Sequence, residues 1–145
     1  MTICFTIHGN QDDPIGNPIP KLRMTGKQSW TPGAQRYAAW KEYVQGIAQP
    51  HILAAAIDMP PVDPKKYAAS GRYRKPITLK GELRMDIKIH FANEHHADPE
   101  SIYGSLADSI FLDDKHLRGK IDFCHAKDKK GKVDVILTIM PHGNI

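Results

Sequence analysis

The sequence predicts an α+β fold in the order β-α-β-α-β-β, with a mixed sheet and two main helices. Residues 82–91 and 133–139 alternate apolar and polar side chains, as half-buried strands do. Two other segments, after residues 31 and 98, repeat apolar residues at spacings of three and four, as helices do. The 145 residues have the length of one domain. We therefore expect residues 1–145 to form a single domain.

The N-terminal part predicts a strand, a loop and a helix. Residues 2–8 are β-branched and apolar and indicate the strand. Residues 9–33 repeat proline and glycine, which predicts a long irregular loop, uncommon in a domain unless functional or disordered. The helix is expected to begin with Thr31 as N-cap and Pro32 at its first position. Its apolar stripe is Tyr37, Trp40, Val44 and Ile47, and residues 52–57 continue it beyond a kink at Pro50.

The C-terminal part predicts the other elements. In strand 82–91 one face is apolar: Leu83, Met85, Ile87, Ile89 and Phe91. The second helix starts at Asp98-Pro99, with Ile102, Leu106 and Ile110 along one side. Residues 119–125 predict a strand, with Ile121 and Phe123 on one face. A turn at 127–132 joins this strand to the last one, so we expect an antiparallel hairpin.

Cysteine content and hydropathy bear on the compartment. Cys4 and Cys124 are the only cysteines, and neither belongs to a C-x-x-C motif. Both lie in predicted strands, so we expect buried free thiols rather than a disulfide. The apolar stretches are far shorter than the roughly 20 residues of a membrane span, and the N-terminus lacks a leader pattern. A cytoplasmic protein without a membrane partner is expected.

The charge distribution is the most informative feature of the composition. The chain has 20 Lys and Arg against 16 Asp and Glu, a balance that favours a polyanionic partner. Residues 94–114 nevertheless contain six acids and no Lys or Arg: Glu94, Asp98, Glu100, Asp108, Asp113 and Asp114. Clustered like charges repel each other, and a divalent cation would offset this repulsion. A basic protein with such a cluster suggests a nuclease.

The carboxylates have two interpretations at this stage. Mg²⁺ or Mn²⁺ prefers oxygen ligands and can promote phosphodiester hydrolysis. Asp98 and Glu100 could bind such an ion with Asp113 and Asp114, provided that the following strand runs alongside strand 82–91. Alternatively, Asp98 is an N-cap, Glu100 complements the helix dipole, and the Asp pair is a turn.

Histidines and basic residues leave similar alternatives. His95, His96, His116 and His125 could bind a transition metal, or simply be polar. The loop at 58–76 combines basic residues with Tyr67 and Tyr73, a composition that suits phosphates and unpaired bases as well as a solvated loop.

Four ordered segments resemble the RusA-type Holliday junction resolvases, small endonucleases of bacteria and prophages. They are Asn17-Pro18-Ile19-Pro20-Lys21-Leu22-Arg23, Asp98-Pro99-Glu100-Ser101, Leu106-Ala107-Asp108, and Phe-Leu-Asp-Asp-Lys-His-Leu at 111–117. Thr31-Pro32, followed by a helix with Tyr37 and Trp40, also fits the family pattern. The similarity covers nearly the whole chain in the right order, although each motif alone is weak.

The resemblance implies a homodimer that cuts four-way DNA junctions by paired symmetric nicks in DNA recombination and repair. It implies dependence on Mg²⁺ or Mn²⁺, held by Asp98, Glu100 and Asp114 with Asp113 as neighbour. It places Lys21 and Arg23 on the DNA-binding side. With the basic loops and the lysine beside the Asp pair, the predicted DNA-binding set is Lys21, Arg23, Lys27, Lys65, Lys66, Arg72, Arg74, Lys75 and Lys115.

The chain also departs from the family pattern. Glu100 and Ser101 stand where Asp and Asn are common, and Gly104 stands where the family often has a catalytic lysine. Lys115 or Lys120 is a candidate for the missing charge. Two alternatives to an active nuclease therefore stay open: a weakened relative that binds junction DNA without cutting it, and a scaffold protein whose acids are helix caps.

Overall fold

The computed structural model describes residues 2–22, 31–55, 82–111 and 117–140, and the predicted order β-α-β-α-β-β is confirmed there. The elements are β1 (Thr2–His8), α1 (Pro32–Ala55), β2 (Glu82–Phe91), α2 (Pro99–Ile110), β3 (Ile121–His125) and β4 (Lys132–Met140). The predicted loop at 58–76 lies outside the described residues. No helix in the described ranges has the length and apolar character needed to cross a membrane.

The four strands form one sheet in the order β1-β4-β2-β3. The sheet is mixed, as predicted. β4 is antiparallel to both β1 and β2, whereas β3 is parallel to β2. The predicted hairpin of β3 and β4 is therefore wrong, because β2 lies between them. Burial explains the order: Val133, Val135 and Leu137 of β4 are fully buried, while Phe123 of β3 is half exposed. The more apolar strand takes the central place and the more polar strand takes the edge.

The helices cover one face of the sheet and leave the other face polar. The core joins Met85, Ile89 and Phe91 of β2 to Trp40 of α1 and Leu106 of α2, all of them fully buried. Residues at the alternate strand positions face away from the helices. Cys4 and Cys124 occupy such positions, so Cys4 is exposed and Cys124 is partly exposed. The thiols are free as predicted, but the predicted burial is wrong.

α1 starts as the sequence predicts. The Ala34 amide donates to Thr31 Oγ1 at 3.2 Å, which is the N-cap hydrogen bond. The helix continues through Pro50 to Ala55, and Ile52 beyond the proline is buried in the core. Burial of Ile52 offsets the backbone hydrogen bond that Pro50 cannot make.

Candidate functional site

The N-terminus of α2 displays two carboxylates. Asp98 is the N-cap, and its Oδ1 accepts a hydrogen bond from the Glu100 amide at 3.3 Å, so the predicted cap is confirmed. Glu100 lies in the first turn, and both side chains are exposed. The cap uses one oxygen of Asp98, which leaves Oδ2 without a hydrogen bond to the described residues. Capping and cation binding are therefore compatible at Asp98.

Asn17 attaches the N-terminal loop to the segment that leads into α2. Its Oδ1 accepts from the Ala92 amide at 2.6 Å, and its Nδ2 donates to Asn93 Oδ1 at 3.1 Å and to the His95 carbonyl at 3.2 Å. These three hydrogen bonds fix residues 92–95 directly after β2. Asn17 therefore orients the chain that carries Asp98.

Residues 17–21 run along α2, and we call this segment the strap. The Ser105 hydroxyl lies 2.7 Å from the Ile19 carbonyl oxygen, and the Lys21 amide donates to the Ser101 carbonyl at 2.9 Å. Ile19 is buried in the core. The strap thus joins two motifs that are about 80 residues apart in the sequence.

The Lys21 side chain lies against Gly104. A Cβ atom at position 104 would be 3.3 Å from Lys21 Cδ and 3.7 Å from Lys21 Cβ. The space beside α2 at position 104 therefore contains the stem of Lys21 from the strap. Lys120, the candidate named from the sequence, instead follows the bridge that joins Arg118 to the start of β2. Sequence reasoning missed the contact between Lys21 and Gly104, because only the strap brings position 21 beside position 104.

A folded turn holds the start of the loop in place. Asn10 is buried, and its Oδ1 accepts from the amides of Asp12 and Asp13 at 2.9 Å each, while its Nδ2 donates to the Asn17 carbonyl at 2.7 Å. Gly9 has φ of 56°, and a Cβ there would lie 2.2 Å from the Asp13 carbonyl oxygen. The loop predicted at 9–33 is therefore a defined turn in its first part, and it positions Asn17.

Polar contacts between the helices account for another of the six acids in residues 94–114, Asp108. Asp108 accepts from the Tyr37 hydroxyl at 2.8 Å and forms an ion pair with Lys41 at 3.7 Å. Trp40 Nε1 donates to the Ser105 hydroxyl at 3.1 Å. Asp108 thus has a structural role that its sequence position did not reveal. The only sequence signal for Ser105 is a polar residue on an otherwise apolar helix face.

Two of the candidate histidines come together at the ends of β2 and β3. Their Nε2 atoms, on His96 and His125, are 3.3 Å apart. The His96 ring stacks on Phe91 at 3.5 Å between centroids, and its Nδ1 is 2.8 Å from the Ala97 carbonyl oxygen. A carbonyl only accepts, so Nδ1 donates and Nε2 of a neutral ring carries the lone pair. His95 is exposed, and His116 lies outside the described residues.

Asp98 and Glu100 lie at the N-terminus of α2, whereas Asp108 lies near its C-terminus. This helix has 12 residues and rises about 18 Å, with Asp98 before it and Phe111 after it. β3 does run parallel beside β2, the arrangement required for the Asp pair to return toward strand 82–91. Asp113, Asp114 and Lys115 lie outside the described residues, as do Arg23, Lys27, Lys65, Lys66, Arg72, Arg74 and Lys75. Among the described residues, no group of three or more His, Cys, Asp or Glu side chains could hold a metal ion.

Comparison with known proteins adds no relative. No protein-family model matches the chain, and no curated protein is similar to it. The candidate site therefore depends on its residues alone: two carboxylates at a helix N-terminus, a lysine held beside the same helix, and an asparagine that anchors the segment between β2 and α2.

Proposed function

We propose that this protein is a metal-dependent endodeoxyribonuclease that resolves four-way DNA junctions by paired symmetric nicks, as a homodimer, in recombination and repair. One observation carries the proposal. The strap with Lys21 is hydrogen-bonded to the helix that begins with Asp98 and Glu100. A cationic residue and two carboxylates thus share one exposed part of the molecule, as a site for a phosphodiester backbone requires.

Lys21 is well suited to contact DNA. Its backbone is fixed to Ser101 and its side chain is exposed, with no ion pair to a described residue. A lysine without an ion pair to the described part of the chain is available to a phosphate oxygen. In this proposal Lys21 supplies the charge that Gly104 lacks.

The donor set fits a hard divalent cation such as Mg²⁺ or Mn²⁺. Asp98 and Glu100 would hold it, together with Asp114 and its neighbour Asp113. When bound, such an ion promotes ionisation of water and stabilises the leaving oxygen of a phosphodiester. The protein residues supply the rest: Asn17 orients the segment before Asp98, and the Glu100 amide orients the Asp98 carboxylate.

The decisive experiment compares cleavage of a four-way junction in Mg²⁺, Mn²⁺ or EDTA, with linear duplex as control substrate. The key variant is Asp98→Asn, because asparagine keeps the N-cap and removes only the charge. We expect metal-dependent symmetric nicks from the native protein and a loss of at least about 100-fold in the variant. Glu100→Gln and Asp114→Asn should show losses of the same order.

Asp108→Asn is the matched control, since it removes the same charge from the same helix. Its side-chain oxygen can still accept from Tyr37, so folding and cleavage should both be retained. Equal cleavage by Asp98→Asn and the native protein would refute the site. Equal losses in Asp98→Asn and Asp108→Asn would indicate a general effect of charge.

Binding without cutting is the second candidate function, favoured by Gly104 and by the capping role of Asp98. It predicts junction binding in EDTA and no nicks in any metal. If the protein neither binds nor cleaves junction DNA, the acids have structural roles alone.

A further inference from the structure

Four polar side chains form a line across the sheet face that the helices leave uncovered. They come one from each strand: Cys124 in β3, His90 in β2, Asp134 in β4 and Thr6 in β1. His90 is paired with Cys124 in the parallel register, and Thr6 is paired with Asp134 in the antiparallel one. The sheet topology therefore brings together residues that are distant in the sequence, and the proposed nuclease site uses none of them.

The distances connect these side chains into a chain of hydrogen bonds. Cys124 Sγ is 3.4 Å from His90 Nδ1, and His90 Nε2 is 3.0 Å from Asp134 Oδ2. Thr6 Oγ1 donates to Asp134 Oδ1 at 2.8 Å. An ionised carboxylate only accepts, so His90 Nε2 must donate to it. In the neutral ring Nδ1 then carries a lone pair, which faces the thiol.

The environment keeps Asp134 ionised. Burial raises the pKa of this carboxyl, but the hydrogen bonds from Thr6 and His90, together with the nearby charges of Lys132 and His90, lower it on balance. The His90 side chain is only 19% exposed, which limits competition from water for its two nitrogens. A thiol, an imidazole within hydrogen-bond reach and a carboxylate that orients the imidazole make up the arrangement that activates a nucleophile.

We propose that Cys124 is a nucleophilic thiol, with His90 as its proton acceptor and Asp134 as the positioning residue, and that it is a site of covalent modification by peroxides. The thiol proton passes from Sγ to His90 Nδ1, and the sulfur attacks one peroxide oxygen. The O–O bond breaks, the sulfur is oxidised to a sulfenic acid, and the departing hydroxide takes the proton from His90 as water. One thiol and one hydrogen peroxide thus give one sulfenic acid and one water.

The second cysteine is an internal control. Cys4 lies on the same face of the same sheet and is exposed, whereas Cys124 is only partly exposed. Among the described residues Cys4 has no hydrogen bond to a histidine or to any other side chain. Accessibility alone predicts faster reaction at Cys4, whereas the proposal predicts faster reaction at Cys124.

The first test is competition between the two thiols for substoichiometric iodoacetamide, read by peptide mass spectrometry on the full chain. We expect Cys124 to react at least about 10-fold faster than Cys4 in the folded protein, and at the same rate in concentrated urea. His90→Asn should abolish the preference, and Asp134→Asn should reduce it. Faster reaction at Cys4 in the native protein, or an unchanged ratio in a folded His90→Asn variant, would overturn the proposal.

The second test uses hydrogen peroxide and traps sulfenic acid with dimedone. The adduct should form on Cys124 before Cys4 in the native protein, and the iodoacetamide preference should disappear as the adduct accumulates. Equal labelling of both cysteines would overturn the proposal. The first test compares the protein of native sequence in its folded state with the same protein unfolded in urea. The result therefore does not depend on whether any variant folds.

Discussion

At the scale of single residues, the contact between Lys21 and Gly104 shows how the strap meets α2. The Lys21 stem lies against α2, 3.3 Å from where a Cβ atom at position 104 would be. A lysine introduced at position 104 would therefore compete with Lys21 for the same space. The two positions should be tested together rather than separately.

We expect Lys21→Met to keep the stem packed against Gly104 while removing the charge. Junction cleavage should fall by about 10-fold, because a contact with the phosphate backbone is lost. The double variant Lys21→Ala/Gly104→Lys should recover part of the rate, since it returns a lysine to the same part of the helix. Cleavage is measured under single-turnover conditions. A Lys21→Met protein with the native rate would refute the assigned role.

A second residue-scale prediction concerns acid stability. The hydrogen bond from Arg84 lowers the pKa of Asp86, against the opposing effect of burial, and the Lys120 amide at 2.8 Å adds to the lowering. Because the folded pKa lies below the unfolded one, this carboxylate stabilises the fold above about pH 4 and loses that contribution as pH falls further.

Asp86→Asn should therefore lower the urea midpoint at neutral pH and have little effect near pH 2. The Arg84 side chain is about half exposed, so the neutral-pH change should be small. Asp122→Asn, an exposed carboxylate in β3, is the control. A decrease of the same size at both pH values would contradict the assignment.

At the scale of elements, Ser105 joins three segments. Its hydroxyl accepts from Trp40 of α1 and contacts the carbonyls of Ile19 in the strap and Ile102 in α2. Ser105, Trp40 and Ile19 are buried, so the Trp40 Nε1 and the Ile19 carbonyl would lose this partner if the hydroxyl were removed. Ser105 therefore connects the strap to both helices.

Ser105→Ala should destabilise the fold by about 1–3 kcal/mol, the usual cost of leaving a buried polar group unpaired. Ser101→Ala is the control, because Lys21 bonds to the Ser101 backbone carbonyl and not to its hydroxyl. Urea denaturation measures both. If the two variants were equally stable, Ser105 would not hold the strap.

At the scale of the whole molecule, paired nicks require two active sites and hence two chains. Twofold dimers are the commonest oligomers, and among the described strands β1 and β3 lie at the two edges of the sheet. Light scattering should give twice the 16.3 kDa of one chain at the concentrations used for cleavage. A monomer that makes paired symmetric nicks would contradict the proposed homodimer.

The sequence by itself determined the elements, because periodicity and capping are local. Thr31, Pro32 and Asp98 mark helix starts through backbone hydrogen bonds within a few residues, and the alternation in β2 follows from strand geometry. Only the tertiary structure decided which elements are neighbours. Competition for burial placed β2 between β3 and β4, although the local turn signal predicted a hairpin. The same long-range packing brought Lys21 to Gly104 and Cys124 to His90, contacts that depend on sheet order and leave no trace in local spacing.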